Sequence, residues 1–256
     1  MQNLLENKTF LVAGAGGLLG TKLVAAILGQ GASVIAADLK VESMKERLNT
    51  IGVDIENRNL SLISLDITSE SSVQVLFSSG LKIDGAVNAT YPRNKSYGAH
   101  FFDVTLESFN ENLSLHLGSM FLFTQQCAKY FKQQQAAFAL VNISSIYGVV
   151  APKFDIYDNT QMTMPVEYAA IKSATLHLNK YVVAYVNDSR FRVNCVSPGG
   201  IFDHQPAPFL EAYKNHTHGA GMLDVNEIIG SVLFLLSEQS RYVTGQNIIV
   251  DDGFSL

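Results

Sequence analysis

Short apolar runs alternate with longer amphipathic segments along this 256-residue sequence. We predict strands for the runs at 9–13, 33–37, 60–65, 83–89, 138–143, 192–196 and 247–250. We predict helices for the segments at about 18–28, 41–48, 69–77, 113–131, 167–186 and 226–236. Nearly continuous apolar strands separated by helices favour a parallel sheet that is covered on both faces. The pattern therefore predicts an α/β fold with a doubly wound parallel sheet, in a single domain over 1–256.

The composition restricts the possible function classes. Apolar residues make up 47% of the chain, the net charge is −5 and the isoelectric point is near 5.6, with no basic stretch. We therefore expect neither nucleic acid nor an anionic membrane as a partner. The sequence does not start with a basic segment followed by an apolar run, and its apolar runs are too short to span a bilayer. These features favour a cytoplasmic protein.

The sequence contains two cysteines, Cys127 and Cys195, and each lies in an apolar stretch. This setting favours two buried thiols in a reducing compartment over a disulfide or a metal-binding pair. The sequence accordingly predicts no metal site.

Three glycines, Gly14, Gly17 and Gly20, follow the first predicted strand, and a predicted helix begins around Leu18 and Leu19. Glycines at this place let the backbone turn tightly and approach a pyrophosphate. The free N–H groups and positive dipole end of the helix attract the same anion. The segment therefore predicts a dinucleotide-binding loop in a Rossmann-type three-layer sandwich. A tight turn without a ligand is the alternative interpretation.

Asp38 follows the second predicted strand. A carboxylate at this distance from the glycine loop accepts hydrogen bonds from an adenosine ribose and repels a 2′-phosphate. The position therefore favours NAD(H) over NADP(H) as the cofactor. Lys40 lies close by and would weaken that preference.

Tyr168 and Lys172 are four positions apart in a predicted helix, so their side chains share one helix face. A tyrosine with a pKa near ~10 is a poor acid or base at neutral pH, and a neighbouring ammonium favours the phenolate. The pair could then exchange a proton with a substrate oxygen. Because the same spacing arises by chance on solvated helices, its interpretation depends on the rest of the sequence.

Several segments occur in the order typical of one enzyme family. Ser145 follows the fifth predicted strand, the helix with Tyr168 and Lys172 comes next, and the stretches 192–201 and 243–253 follow. Together they resemble the short-chain dehydrogenase/reductases over almost the whole chain. The resemblance implies that Tyr168 is the general acid/base, and that Lys172 lowers its pKa and binds the nicotinamide ribose. It also implies that Ser145 hydrogen-bonds the substrate oxygen. A polar strand end is the alternative for Ser145.

The resemblance also implies a set of cofactor contacts. The turn after the sixth predicted strand would lie beside the nicotinamide, while residues after the third and fourth strands would meet the adenine and flank the cofactor. The implied residues are Pro198, Gly199, Ile201, Asp66, Ile67 and Asn88. A helix N-cap is the alternative for Asp66, and a turn residue is the alternative for Asn88.

The chain departs from the family pattern in its first loop and in its central helix. Ala13 and Leu18 replace a threonine and a glycine, and the glycine spacing matches a nucleotide-sugar-modifying branch whose substrate domain would not fit in 256 residues.

His116 stands where the family usually has a catalytic asparagine that relays protons through its main-chain carbonyl. A histidine would keep that carbonyl and could add a group titrating near neutral pH. A histidine packed between helices is the alternative, and Asn112 is a less favoured substitute.

Two segments are expected to shape the substrate site. The insertion 151–165 lengthens the interval between Ser145 and Tyr168, and the stretch 202–223 resembles the family's substrate lid. Within this lid Asp203 replaces a threonine that often binds the cofactor. Three lid histidines are expected to be solvated rather than metal ligands, namely His204, His216 and His218.

Charged residues near these segments suggest a polar substrate. Arg93 and Lys95 follow the fourth predicted strand, and Asp155 and Asp158 lie in the insertion. They favour a phosphorylated or nucleotide-linked compound, with solvated loop charges as the alternative. The stretches 91–94 and 164–168 resemble bacterial oxidoreductases associated with flagellin glycan or surface-polysaccharide modification.

The sequence therefore predicts an NAD(H)-dependent oxidoreductase that acts on a secondary alcohol or ketone of a small sugar-derived molecule. The alternatives are a 3-oxoacyl carrier-protein reductase, a non-catalytic dinucleotide sensor, and a nucleotide-sugar epimerase or dehydratase. The family resemblance implies a homodimer or homotetramer that assembles through the long helices at 113–131 and 167–186.

Overall fold

The computed structural model describes residues 3–256. Within them, seven parallel strands form one sheet in the order β3-β2-β1-β4-β5-β6-β7. The strands are β1 (Thr9–Ala13), β2 (Ser33–Asp38), β3 (Leu60–Ser64), β4 (Gly85–Asn88), β5 (Phe138–Ile143), β6 (Phe191–Pro198) and β7 (Asn247–Val250). The doubly wound α/β fold is confirmed, and each of the seven predicted strands is present.

Eight α-helices connect and cover the strands within this part of the chain. They are α1 (Leu18–Gly29), α2 (Val41–Thr50), α3 (Glu70–Ser78), α4 (Leu106–Asn112), α5 (Ser119–Gln134), α6 (Val166–Val186), α7 (Ala207–Lys214) and α8 (Ile229–Leu236). A π-helical segment, Leu113–Gly118, joins α4 to α5. The helix predicted from 113 therefore begins earlier, because the hydroxyl of Thr105 accepts a hydrogen bond from the Ser108 N–H and caps α4. Helix α7 was not predicted.

The side chains of β1 divide the core into two layers. Phe10 and Val12 pack in one cluster with residues of α1, α2 and α8. Leu11 and Ala13 point to the other face and pack in a second cluster with residues of α3 and α5. This division follows from the two-residue side-chain period of a strand. Both faces of the sheet are buried, as the continuous apolar runs predict.

After β3, the strand order changes side: the next strand, β4, pairs with the opposite edge of β1. Strands β2 and β3 extend the sheet on one side of β1, and β4 to β7 extend it on the other side. The loops that leave the carboxyl ends of β1 and β4 therefore separate to opposite faces and open a crevice. Ligands bind at such a switch point in open α/β sheets.

The two cysteines are buried and unpaired in the structure. Burial raises the pKa of the Cys195 thiol to about 12 and also raises that of Cys127. Asn179 donates a hydrogen bond to the Cys195 sulfur (3.0 Å). Both groups therefore belong to the packed interior.

No helix within residues 3–256 is both long enough and apolar enough to cross a membrane.

Arg192 ties the end of α8 to β6. Its buried guanidinium donates hydrogen bonds to the carbonyl oxygens of Leu235 (2.8 Å) and Ser237 (3.1 Å) and to the hydroxyl of Ser240 (2.8 Å). The carbonyls at a helix C-terminus have no partner within the helix, and the arginine supplies one. This contact fixes α8 beneath the strand that carries Pro198.

We expect Arg192→Leu to lower the free energy of unfolding by about 3 kcal/mol or more, because three buried oxygen atoms would lose their charged hydrogen-bond donor. The measurement is urea unfolding followed by circular dichroism. The matched control is Arg58→Leu, which removes an exposed guanidinium and should change stability by less than about 0.5 kcal/mol. Equal stabilities of the two variants would contradict this role of Arg192.

Candidate active site

A cavity of about 650 Å³ opens at the carboxyl edge of the sheet, at the switch point. Loops that follow β1, β4, β5 and β6 line it, together with α6, the insertion and the lid. The predicted site residues that line it are Gly17, Leu18, Leu19, Gly20, Ser145, Tyr168, Lys172, Pro198, Gly199 and Ile201. Those outside the lining are Gly14, Asp38, Asp66, Ile67, Asn88 and His116. The structure therefore brings the predicted proton-transfer residues and the glycine loop to one cavity.

The glycine loop has no room for side chains. Gly14 has φ 81°, and a Cβ there would lie 2.8 Å from the carbonyl oxygen of Ala89. A Cβ on Gly20 would overlap the carbonyl of Gly14. Gly17 precedes α1 without any side-chain cap, so the first N–H groups of the helix stay available toward the cavity. This cradle fits the pyrophosphate of a dinucleotide.

Asp38 ends β2 beside the glycine loop. One carboxylate oxygen accepts a hydrogen bond from the Gly16 N–H (3.0 Å), and the other accepts one from the Lys40 N–H (3.1 Å). Each oxygen keeps further acceptor capacity for ribose hydroxyls. Arg47 of α2 donates to the Gly16 carbonyl (2.9 Å). We did not predict Arg47 as a site residue, because 31 positions separate it from Gly16 and only the packing of α2 brings them together.

The residues expected at the adenine side lie beyond the cavity lining. Asp66 accepts hydrogen bonds from the backbone and hydroxyl of Thr68 (2.9 and 2.7 Å), and Ile67 is buried. The alternative role of Asp66 as a helix N-cap is wrong, since Ser69 caps α3 by accepting a hydrogen bond from the Ser72 N–H (3.3 Å). The adenine contact of Asp66 and Ile67 stays a prediction.

Asn88 is fully buried at the end of β4. Its side-chain oxygen accepts hydrogen bonds from the backbone (3.1 Å) and the hydroxyl (2.7 Å) of Thr90. Its Nδ2 donor has no partner among residues 3–256. Thr90 lines the cavity, so this amide braces the strand end that flanks the glycine loop. Asn88 can therefore stabilise the turn through Thr90 and also lie beside a bound cofactor, as predicted.

The packing of α6 against the end of β5 brings the predicted catalytic residues together. The Ser144 hydroxyl donates a hydrogen bond to the carbonyl oxygen of Lys172 (2.9 Å). At Gly148 a Cβ would lie 2.6 Å from that same carbonyl, so only glycine permits this approach. Ser145 and Tyr168 consequently face the same cavity from adjacent elements.

Lys172 is buried, and its ammonium is held by two groups. It donates a hydrogen bond to the carbonyl oxygen of Ile143 (2.8 Å) and lies 3.4 Å from Nε2 of His116. Its Nζ is 5.4 Å from the centre of the Tyr168 ring. Burial lowers the pKa of Lys172 to about 8, so the ammonium form still predominates at pH 7.

Burial raises the pKa of the Tyr168 hydroxyl, and a hydrogen bond with Ser145 acts in the opposite direction. The lowering of this pKa by Lys172, implied by the family resemblance, is therefore not observed. The physical reason is that desolvation of the phenolate by burial is the larger of these two effects. In this arrangement Tyr168 is a protonated group at neutral pH, which suits donation of a proton.

His116 lies in the π-helical segment and is 1% exposed. Burial, followed by the positive charge of Lys172, lowers its pKa to about 2. The suggestion that His116 titrates near neutral pH is therefore wrong. The hydroxyl of Ser119 donates to the His116 carbonyl (3.0 Å), while the neutral ring faces Lys172. The ring therefore contacts Lys172, which lines the cavity, although His116 itself does not line it.

The less favoured substitute, Asn112, is engaged elsewhere. Its side chain exchanges hydrogen bonds with Asn94 and donates to the carboxylate of Glu167 (3.3 Å). Asn112 does not line the cavity.

The insertion and the lid form one wall of the cavity. Tyr157, Met162 and Met164 of the insertion line it together with Phe209 and Tyr213 of α7. The Tyr157 and Phe209 rings are 5.3 Å apart. The insertion therefore lies where a substrate-shaping segment is expected.

Asp155 and His216 connect the insertion to the lid by a hydrogen bond between the carboxylate and Nε2 of the ring (2.7 Å). The hydrogen bond from His216 lowers the pKa of the Asp155 carboxyl. The expectation that His216 is merely solvated is wrong, and neither Asp155 nor Asp158 lines the cavity. Asp203, near the start of the lid, does line the cavity.

Tyr91 is a further site residue that sequence reasoning did not assign. Its ring makes edge contacts with Tyr168 (5.5 Å between centres) and with His116 (5.1 Å). The available signal was its position directly after the polar end of β4, where the chain enters the crevice. Tyr91 therefore covers the buried Lys172–His116 pair and borders the Tyr168 ring.

The low pKa of His116 predicts how acid destabilises the protein. The histidine binds a proton in the unfolded chain near pH ~6.5 but not in the folded one, so stability is lost as the pH falls below that value. Between pH 7.5 and pH 5 the free energy of unfolding should fall by roughly 2 kcal/mol less in His116→Asn than in the wild type. The measurement is urea unfolding at both pH values. His177→Asn, at an exposed position on α6, is the matched control and should leave the difference unchanged. A His116 variant with the wild-type acid dependence would contradict the neutral state.

Comparison with known proteins agrees with this geometry. A family model described as enoyl-(acyl carrier protein) reductase matches residues 14–255. Post-translational flagellin modification protein A of Campylobacter coli is 39% identical over 99% of this chain and 100% of its own. The 7alpha-hydroxysteroid dehydrogenase of Bacteroides fragilis is 25% identical over 99% of this chain and 96% of its own.

Among solved structures, a short chain dehydrogenase from Leptospira borgpetersenii with bound NAD+ superposes with a TM-score of 0.87. It is 31% identical, and the match covers 100% of this chain and 95% of that one. The family match, these relatives and the meeting of Ser145, Tyr168 and Lys172 lead to one conclusion: the chain belongs to the short-chain dehydrogenase/reductase family of oxidoreductases.

Proposed function

We propose that this enzyme transfers a hydride between NAD(H) and a secondary alcohol or ketone of a polar, sugar-derived molecule. The observation that carries the proposal is the meeting of Ser145, Tyr168 and Lys172 in one cavity beside the uncapped start of α1. A carbonyl that accepts a hydride needs a proton and a hydrogen-bond donor at its oxygen, and this cavity supplies both.

The glycine cradle and the edge of β6 fit a nicotinamide dinucleotide. The start of α1 would hold the pyrophosphate, Asp38 the adenosine ribose, and Pro198, Gly199 and Ile201 the nicotinamide side. When bound, the nicotinamide would supply or accept the hydride, which no side chain can do.

The side chains provide the proton and the charge stabilisation. In the reductive direction the Tyr168 hydroxyl donates its proton to the substrate oxygen, and Ser145 donates a hydrogen bond to the same oxygen. The ammonium of Lys172, fixed by the Ile143 carbonyl, stabilises the phenolate that remains. Neutral His116 accepts a hydrogen bond from this ammonium when its proton is on Nδ1, and thereby orients it.

Asp38 supports NAD(H) as the preferred dinucleotide. Its two oxygens are already held next to the glycine loop by the Gly16 and Lys40 N–H groups, so the negative charge is fixed where a 2′-phosphate would come. Arg47 of α2 donates a hydrogen bond to the same loop, and its positive charge opposes this repulsion in part.

Two features support a sugar-derived substrate. Tyr147, Tyr157 and Tyr213 line the cavity and combine an apolar ring face with a hydroxyl, a combination that suits the C–H faces and hydroxyls of a sugar. The relative from Campylobacter coli is named for post-translational flagellin modification. A place in glycan or polysaccharide biosynthesis follows as the proposed role.

We also propose that the protein forms a homo-oligomer through α5 and α6. Phe121 of α5 and Tyr181 and Tyr185 of α6 are exposed, and the two tyrosine rings stack on each other (6.1 Å). Such apolar surface on neighbouring helices supports a contact between copies.

Replacement of the catalytic tyrosine tests the function. We expect Tyr168→Phe to lower turnover by at least about 100-fold while the affinity for NADH stays within about twofold, because the ring remains and only the proton donor is lost. The measurements are NADH oxidation with a panel of keto-sugars, their phosphates and 3-oxoacyl thioesters, and NADH fluorescence titration. Tyr242→Phe, at an exposed tyrosine that does not line the cavity, is the control and should keep full activity. Equal activity of the two variants would overturn the assignment.

Replacement of Asp38 tests the cofactor preference. We expect Asp38→Asn to raise the ratio of kcat/KM for NADPH to that for NADH by about tenfold or more, because the amide keeps an acceptor but loses the charge. Asp54→Asn is the control, since Asp54 makes the same kind of contact to a backbone N–H two residues on (3.0 Å). An unchanged ratio in Asp38→Asn would remove Asp38 from this role.

A further inference from the structure

Arg93 brings a positive charge to the wall of the catalytic cavity. None of the ion pairs within residues 3–256 includes its guanidinium. The other charged side chains that line the cavity are Lys172 and Asp203. Because Lys172 is occupied by the Ile143 carbonyl and His116, Arg93 is the cation in the cavity wall that remains available for a ligand.

Two tyrosines hold the Arg93 side chain. Its guanidinium carbon lies 4.8 Å from the centre of the Tyr91 ring and 5.9 Å from that of Tyr97. The two rings meet edge to face (5.6 Å), and their hydroxyls are hydrogen-bonded to each other. A guanidinium over aromatic faces is attracted to them and loses rotamer freedom before any ligand arrives. The fork-shaped donor is therefore positioned in advance.

The loop that carries Arg93 is fastened to the catalytic helix. Asn94 and Asn112 exchange hydrogen bonds, with the Asn94 N–H donating to Oδ1 of Asn112 (3.0 Å) and Nδ2 of Asn112 donating to Oδ1 of Asn94 (3.1 Å). Asn112 also donates to the buried carboxylate of Glu167, the residue that directly precedes Tyr168. The position of Arg93 relative to Tyr168 is thus set by a buried polar network.

The distance from Arg93 to the reacting group limits the size of the ligand. The guanidinium is 4.8 Å from the Tyr91 ring centre, which is 5.5 Å from that of Tyr168, so the cation lies within about 10 Å of the catalytic ring. A six-carbon sugar that carries its carbonyl at one position and an anionic group at a remote position extends over such a distance.

We propose that Arg93 binds a phosphate or carboxylate group of the substrate, so that the enzyme selects anionic sugar-derived carbonyl compounds over neutral ones. The inference rests on the proposed function for the identity of the reacting group. A guanidinium donates paired hydrogen bonds to either anion, and charge-assisted bonds of this kind are stronger than neutral ones. The role of Tyr91 is to position this cation and to link it to the catalytic tyrosine.

Matched ligands test the selection. We would measure by calorimetry the affinities of the wild type for fructose, fructose 6-phosphate and 5-ketogluconate, with and without NADH. We expect the phosphate, the carboxylate or both to bind at least tenfold more tightly than fructose. The ligand that binds more tightly than fructose shows whether the substrate's anionic group is a phosphate or a carboxylate.

Arg93→Met keeps a long, unbranched side chain at this position and removes the charge. We expect this variant to lose the tenfold preference, and Arg93→Lys to retain part of it. Lys95→Met removes a neighbouring exposed cation that does not line the cavity, and it should keep the wild-type preference. Melting temperatures within about 2 °C of the wild type would show that the fold is intact.

Two results would overturn the inference: no preference for either anion in the wild type, or the same preference in Arg93→Met as in the wild type. The affinity measurements require no turnover, so they separate this inference from the proposed function. An Arg93-dependent preference without NADH oxidation by any probe would support the anion site and count against the proposed reaction. Turnover of neutral ketoses without a preference for anionic ligands would support the proposed reaction and count against the anion site.

Discussion

The close approach of α6 to the end of β5 is the contact on which the site depends. Gly148 permits it, because any side chain at that position would run into the carbonyl of Lys172. The Ser144 hydroxyl then satisfies this carbonyl. With the helix fixed at this distance, Tyr168 and Ser145 face one cavity, and the Lys172 ammonium reaches back to the sheet. A helix held farther away would carry the same side chains but would not bring them to one substrate oxygen.

A buried cation at the centre of the site determines the character of its neighbours. An ammonium removed from water needs acceptors, and Lys172 finds them in the Ile143 carbonyl and in the ring of His116. The same charge, together with burial, keeps His116 neutral. The Tyr91 ring lies between the cavity and the Lys172–His116 pair, and the Arg93 guanidinium lies over this ring. Tyr168, Lys172 and Arg93 are thus linked through side-chain contacts with Tyr91.

Sequence reasoning succeeded where the physical signal is local. Short apolar runs predicted the strands, glycines after β1 predicted a tight turn that leads into a helix, and the four-residue spacing of Tyr168 and Lys172 predicted a shared face of one helix. It was wrong where the answer depends on the surroundings of a side chain. The protonation of His116 follows from its burial next to Lys172, and the partner of His216 is an aspartate 61 positions away. Neither could be read from neighbouring residues.

The sequence by itself determined the doubly wound sheet, the order of its strands along the chain and the residue types available for hydride-transfer chemistry. These follow from periodicity and from the chemistry of side chains, which are properties of short stretches. The tertiary structure alone decided that the pKa of Tyr168 is raised, that Arg47 reaches the glycine loop, that Tyr91 contacts Tyr168, and that Arg93 lines the same cavity. Such properties depend on burial and on contacts between distant segments, which exist only after the sheet and its helices have packed.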